Sequence, residues 1–314
     1  MIAASEIELR AGSELLLLAP MLRVDKGDRI GLVGRNGAGK TTLSRVLAGE
    51  SAPAGGGIKT TGTVGYLPQD PRTADPDQLA RSRVLSARGL DAVSLRMAKA
   101  AEALAMPGIN AEEFDKSGER YNRALDEFES LGGYTAESEA ATIAASIGLD
   151  ERILSQTLGT LSGGQRRRVE LTRILFSDAD VLLLDEPTNH LDADSIRWLR
   201  KYLAAYEGGF IVISHDTQLL EDTVNKVWHL DANRQEIDLY SMGWNKYLLA
   251  RETDEKRRKR ERRNAESQAD TLRKQAEKMR AKATKAKAAQ SMFKRADRIL
   301  ADTATELKRD NVAK

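Results

Sequence analysis

The sequence predicts an α/β fold interrupted by an α-helical insertion and followed by a helical extension. Three observations carry this. Short aliphatic or β-branched runs alternate with helical patterns through the first 240 residues, as expected for a sheet covered by helices. Residues 76–150 lose the strand pattern and become rich in Ala, Leu, Arg and Glu. Residues 245–308 contain neither Gly nor Pro and are dominated by strong helix formers.

The elements follow in order. Arg29–Val33 reads as a strand running into a glycine loop, and Val64–Leu67 as a second, stopped by Pro68. Breaks at Pro107-Gly108 and Gly132-Gly133 divide the insertion into helices near 77–105, 111–130 and 136–147. Val181–Leu184 and Phe210–Ile213 are fully apolar, the pattern of central strands buried on both faces. Val227–Leu230 and Glu236–Tyr240 form a terminal hairpin around Ala232-Asn233. The extension has only a thin apolar side, from Leu248 and Leu249 to Leu307, so it projects or folds back as a hairpin and is not a core helix.

The 314 residues carry a formal charge of only +2. Residues 251–314 hold 21 Lys/Arg against 11 Asp/Glu, a net of +10, and the remainder holds 28 against 36, a net of −8. An acidic body with a basic tail points to a polyanionic partner, the alternative being a solvated charged helix. The absence of Cys excludes disulfides, thiolate metal sites and thiol catalysis, and three scattered His argue against a His-based metal site. Met1-Ile2-Ala3-Ala4-Ser5-Glu6 lacks the basic region of a signal peptide, and the Leu15–Ala19 run is too short to span a bilayer. A soluble, cytoplasmic chain without membrane insertion is expected.

Gly34-Arg35-Asn36-Gly37-Ala38-Gly39-Lys40-Thr41 fits G-x-x-x-x-G-K-[ST] between a strand and a helix. Glycines at this spacing let the backbone wrap a phosphate, Lys40 reaches the β- and γ-phosphates, and the Thr41 hydroxyl is placed for Mg²⁺. The phosphate-binding set is Gly34, Asn36, Gly37, Gly39, Lys40, Thr41 and Thr42. Asp185 at the end of a buried strand suits the Mg²⁺ shell, and Glu186 can take a proton from an attacking water. An acidic pair after a strand is otherwise a solvated strand end. Ser162 and Gln165 form a capping box, but this does not explain Gly163 and Gly164 at the start of a helix, where Gly is costly. Approach of a phosphate to that backbone does.

The order of these motifs resembles that of the ATP-binding cassette (ABC) ATPases. Gly34–Thr41 matches their Walker A, Gln69 in Tyr66-Leu67-Pro68-Gln69 the Q-loop, Leu161–Gln165 the signature, Val181–Glu186 Walker B, Asp192 the D-loop and His215 the switch histidine. The resemblance implies ATP and Mg²⁺ as cofactors, with Thr41, Gln69 and Asp185 around the metal and Glu186, His215 and Gln69 as catalytic residues. It implies that Ser162, Gly163, Gly164 and Gln165 complete a partner cassette's ATP site.

Glu186-Pro187-Thr188-Asn189-His190-Leu191-Asp192, Phe128–Tyr134 and the Lys282–Ser291 stretch resemble the ABC-F branch, which lacks membrane domains and acts on ribosomes. In that branch the linker between two cassettes is a helical hairpin that reaches P-site tRNA, which makes Arg280, Lys282, Lys285 and Lys287 candidate RNA contacts. The implied organisation is an ATP-binding cassette over 1–75 and 136–243, an arm-type insertion over 76–135 and a basic linker over 244–314. With one copy of each motif, the chain is expected either to be the N-terminal half of a longer ABC-F protein, the favoured reading, or to pair with a second copy, and to act as a translation or antibiotic-resistance factor. Alternatives are the ATPase subunit of a membrane transporter and a non-catalytic nucleic-acid-binding module. Family members usually carry an adenine-stacking aromatic in the first strand–turn; here no aromatic precedes Tyr66, the position falls near Ala11, and Arg10 is a candidate substitute.

Overall fold

The computed structural model describes residues 1–69, 75–280, 290–298 and 301. In chain order, β1 (Ile2–Ala11), β2 (Glu14–Val24) and β3 (Arg29–Gly34) lead into α1 (Lys40–Leu47), β4 (Gly55–Thr60) and β5 (Val64–Leu67). The insertion holds α2 (Ala80–Leu85), α3 (Leu90–Leu104), α4 (Ala111–Ser130) and α5 (Gly133–Ser146). After α6 (Glu151–Leu154) come α7 (Gly163–Phe176), β6 (Val181–Asp185), α8 (Ala193–Ala205), β7 (Gly209–Ile213) and α9 (Thr217–Thr223). β8 (Lys226–Asp231), β9 (Glu236–Tyr240) and α10 (Trp244–Arg280) complete the series.

All nine strands form one sheet in the order β4-β1-β2-β9-β8-β3-β7-β6-β5. The run from β8 to β5 is parallel, β9 is antiparallel to β8, and β1, β2 and β4 form an antiparallel edge. One pair, Leu18↔Glu236, joins that edge to the rest. Every residue of β6 and β7 is buried. Leu182, Leu184, Phe210 and Val212 face the core under α2, α5, α7 and α8, whereas Val181, Leu183, Ile211 and Ile213 face the core under α1. The alternation is the period of two expected of a strand with helices on both faces. Because β3, β6 and β7 are parallel, their C-terminal ends lie together, where an open α/β sheet offers its crevice.

Two features differ from the sequence reading. The residue pattern marks no strand before Arg29 or at 55–60, where only the resemblance implies a strand–turn near Ala11, yet β1, β2 and β4 are there. In β1 the buried set is Ile2, Ala4, then Ile7 and Leu9, so the alternation skips a beat at Glu6, which has φ 52° and sits where the register with β4 shifts. That bulge breaks the periodicity by which a strand is recognised. The helix expected over 77–105 is instead α2, a 3₁₀ turn at Ser86–Arg88 and α3, separated at Gly89, whose φ of 74° ends the first segment.

In its described parts the extension is a long helix and a short helical segment packed against it. α10 has 37 residues, about 55 Å at 1.5 Å per residue. Residues 290–298 pack against it, with Arg273 pairing Asp297 at 2.8 Å and Ala276 and Ala296 buried. Its base is fixed to the β8–β9 hairpin. Tyr247 is buried against Tyr240 and Trp244 at ring-centroid distances of 5.0 and 5.3 Å and stacks on His229 at 6.4 Å. Arg258 pairs Asp238 at 3.4 Å, and Tyr240 Oη donates to Asp254 at 3.3 Å.

Burial, reinforced by Arg251, pushes the His229 imidazole down from 6.5 to about 4 against the pull of Asp238 and Asp231. The unfolded chain therefore takes up a proton between those values that the folded chain refuses. Stability is full above pH 6.5 and falls as pH drops toward 4, by up to about 3 kcal/mol from this group. His229→Phe keeps a ring beside Tyr247 and is expected to remove that part of the decline. Urea unfolding from pH 7 to 4.5 checks it: parallel losses in both proteins would show that His229 is not held neutral.

Candidate functional site

The loop between β3 and α1 wraps a cleft. Gly34, at the end of β3, lies so close to β8 that a Cβ would meet Leu230 O at 2.6 Å, which excludes any other residue. Gly37 and Gly39 have φ of 80° and 96°, the left-handed region that favours Gly. A Cβ on Gly37 would meet nothing, so the space over the loop is open. No side chain caps the N-terminus of α1, which leaves its N–H groups for an anion. Lys40 Nζ donates to Gly34 O and Arg35 O at 2.9 and 3.0 Å, which holds the ammonium at the mouth of the loop. Burial pushes its pKa down, opposed by Glu186 and Asp185.

The acidic side comes from β6. Asp185 is 1% and Glu186 7% exposed. Thr41 Oγ1 donates to Asp185 Oδ2 at 2.7 Å. Glu186 N continues the β6–β7 ladder to Ile213 O at 2.8 Å, but Glu186 has φ 51°, a conformation that costs a non-glycine residue and concentrates at functional sites. The bend turns its carboxylate to His215, whose backbone N–H donates at 3.4 Å and whose Nε2 lies 3.5 Å away. Burial pushes both carboxyl groups above the usual range. The Thr41 hydrogen bond and the Arg167 charge oppose this at Asp185, and His215 opposes it at Glu186.

These groups line a cleft of about 660 Å³ together with Asn36, Gly37, Gly39, Thr42, Gln69, Thr188 and Asn189. Ala11 and Leu16 also line it, and among the described residues no Phe, Tyr or Trp does. Arg10 pairs with Glu8 and reaches Ser13 O.

Ser162–Gln165 do not line the cleft. The capping box is complete: Gln165 N donates to Ser162 Oγ at 3.3 Å and Ser162 N to Gln165 Oε1 at 2.9 Å. A Cβ on Gly163 would meet nothing, and one on Gly164 only His190 at 3.5 Å, so packing within this chain does not demand glycine there. Asp192 also lies outside the cleft, as N-cap of α8, accepting from Ser195 N at 2.8 Å. Of the four candidate RNA contacts, Arg280 ends α10, and Lys282, Lys285 and Lys287 lie outside the described residues. Among the described residues no three His, Asp or Glu gather as a metal site.

The sequence reading missed Arg167. It is 5% exposed and donates to backbone carbonyls on both sides of the cleft floor. The signal was its position on the buried face of α7, three and four residues before Glu170 and Leu171, both buried.

A family model described as ABC transporter matches residues 19–189, and a second of that description matches 230–313. The chain belongs to the ABC transporter family, as a P-loop nucleotide-binding domain of its ATPase type. It is 36% identical over 211 residues to the energy-dependent translational throttle protein EttA of Haemophilus influenzae, covering 65% of this chain and 36% of that one. It is 33% identical over 262 residues to the tylosin resistance ATP-binding protein TlrC of Streptomyces fradiae, covering 80% and 46%. The chain thus spans less than half the length of these relatives. Among solved structures, an ATP-binding subunit of an ABC transporter aligns with TM-score 0.55 at 18% identity over 76% of this chain and 88% of that one. An RNase-L inhibitor aligns with TM-score 0.54 at 22% identity over 80% and 42%. Both likenesses are of fold. Among the described residues no helix is long and apolar enough to cross a membrane.

Proposed function

We propose that this chain is an ATP-hydrolysing cassette of ABC-F type that acts on the ribosome. The observation that carries the reading is the joining, in one chain, of the Lys40–Thr41–Asp185–Glu186–His215 cleft to a helical hairpin rooted on the same sheet through Tyr247 and Arg258. The names of the relatives, a translational throttle protein and a tylosin resistance protein, support the ribosome as the target.

The donor set fits ATP and Mg²⁺. The converging Thr41 and Asp185 oxygens, with Gln69 beside them, would hold the metal, whose bound charge offsets that of the phosphate oxygens. Lys40 and the loop N–H groups would bind the phosphates. Glu186, kept basic by burial and oriented by His215, would accept the proton of the attacking water. Ser162–Gln165, turned away from this cleft, would serve the ATP of a second cassette, from a longer polypeptide or another copy.

Assembly should reflect this. Alone the chain is expected to be mostly monomeric with little or no ATPase activity, and any dimer to require ATP. Sedimentation with and without ATP checks this. A monomer turning over at about 1 s⁻¹ or more, an ordinary enzyme rate, would contradict the shared site.

The hairpin accounts for RNA binding. Arg280, Lys282, Lys285 and Lys287 stand two or three apart and would meet folded RNA through charge and shape, since few aromatics are present for base stacking. Neutralising about four phosphates gives a slope of log K against log salt of roughly −3 to −4. Replacing all four by Gln is expected to weaken ribosome binding and flatten that slope. Unchanged affinity and slope would make the extension a spacer, and co-purification with membranes in place of ribosomes would favour a transporter subunit.

A further inference from the structure

The β5–β6 ladder ends at the pair Leu67↔Leu184. Beyond it lie Pro68 and Gln69 on one strand and Asp185 and Glu186 on the other. Their four carbonyl groups lie past the end of the β5–β6 ladder, and all four accept from one side chain, Glu186 O accepting from Asn189 N at 3.3 Å as well. Arg167 Nη1 donates to Pro68 O at 3.0 Å and to Gln69 O, and Nη2 donates to Asp185 O at 2.7 Å and Glu186 O at 2.9 Å. The flat guanidinium therefore closes the sheet where its own hydrogen bonds stop. Lysine cannot reproduce this, because a compact ammonium does not span four acceptors in a plane.

The staple does more than hold a loop. Two of its acceptors are the carbonyls of Gln69 and Glu186, whose side chains line the cleft. A third belongs to Asp185, whose carboxylate meets Thr41. The bond to Glu186 O acts on the residue held at φ 51°, where the backbone would otherwise relax. Arg167 itself belongs to α7, the helix that begins at Gly163. A single buried side chain thus links the start of that helix to the groups on the metal side and the water side of the cleft.

We infer that Arg167 is a positioning residue: it sets Gln69, Asp185 and Glu186 relative to one another at the Mg²⁺ end of the cleft and ties them to the signature helix. The inference rests on the ATP-site reading above. It separates two parts of the cleft. The glycine loop and Lys40 are built by β3 and α1 and do not depend on Arg167, whereas the Mg²⁺ end does.

The test compares ATP affinity of the full chain in EDTA and in Mg²⁺ for the wild type, Arg167→Met and Arg167→Lys, with thermal unfolding of each nucleotide-free protein. Arg167→Met is expected to bind ATP in EDTA within about twofold of the wild type and to lose about tenfold of the gain that Mg²⁺ provides, the scale of one charge-assisted hydrogen bond. Arg167→Lys is expected to recover part of it and serves as the deciding variant if Arg167→Met does not fold. An undiminished Mg²⁺ gain in the variants would overturn the inference. So would an equal loss in EDTA and Mg²⁺, which marks a general packing role. A wild-type chain that binds no ATP in either condition would instead sink the ATP-site reading.

Discussion

Replacing Glu186 by Gln is expected to slow hydrolysis by about 10²–10⁴-fold, the range for a lost general base, while ATP and Mg²⁺ still bind. The substitution keeps size and shape. The backbone bond of residue 186 to Ile213 O and the Arg167 contact to its carbonyl do not involve the carboxylate, so the bent conformation is retained. What disappears is a basic oxygen beside His215. Phosphate release measured at saturating ATP reads the effect directly. Turnover at the wild-type rate would assign the proton acceptor elsewhere.

Replacing Lys40 by Ala is expected to weaken ATP binding by about 10–100-fold, since a charge-assisted contact to a phosphate contributes about 1.5–3 kcal/mol. In the protein its ammonium bridges the carbonyls of Gly34 and Arg35, so the substitution removes both the phosphate contact and a brace of the loop. Calorimetric titration separates the two variants: Glu186→Gln leaves affinity in place, and Lys40→Ala does not. Equal affinity in Lys40→Ala and wild type would mean that nucleotide does not enter through this loop.

How much of this was legible in the sequence depended on how local each requirement is. The glycine loop was legible because each glycine answers a backbone demand visible in spacing alone: Gly34 against Leu230, Gly37 and Gly39 in left-handed turns. The central strands were legible because burial on both faces leaves uninterrupted apolar runs, as in β6 and β7. β1 was hidden by the bulge at Glu6, and β4 by Gly55-Gly56-Gly57, which reads as loop yet pairs with β1 as an edge strand. The break at Gly89 was hidden because a single Gly inside a helical pattern can be tolerated there as well as end the helix. Arg167 was hidden for a different reason. Its four acceptors are backbone carbonyls from segments 98 to 99 residues before it and 18 to 19 after it, and carbonyls leave no trace in side-chain pattern.

The ATPase reading is tested most directly by identifying the nucleotide that stays on the protein. Wild-type chain, Glu186→Gln and Lys40→Ala are incubated with ATP and Mg²⁺ at concentrations that allow pairing, desalted, and the bound nucleotide is extracted and resolved. The account predicts ADP on the wild type, intact ATP on Glu186→Gln and little of either on Lys40→Ala. The same ratio of ATP to ADP on wild type and Glu186→Gln, or as much nucleotide on Lys40→Ala as on the wild type, would contradict it.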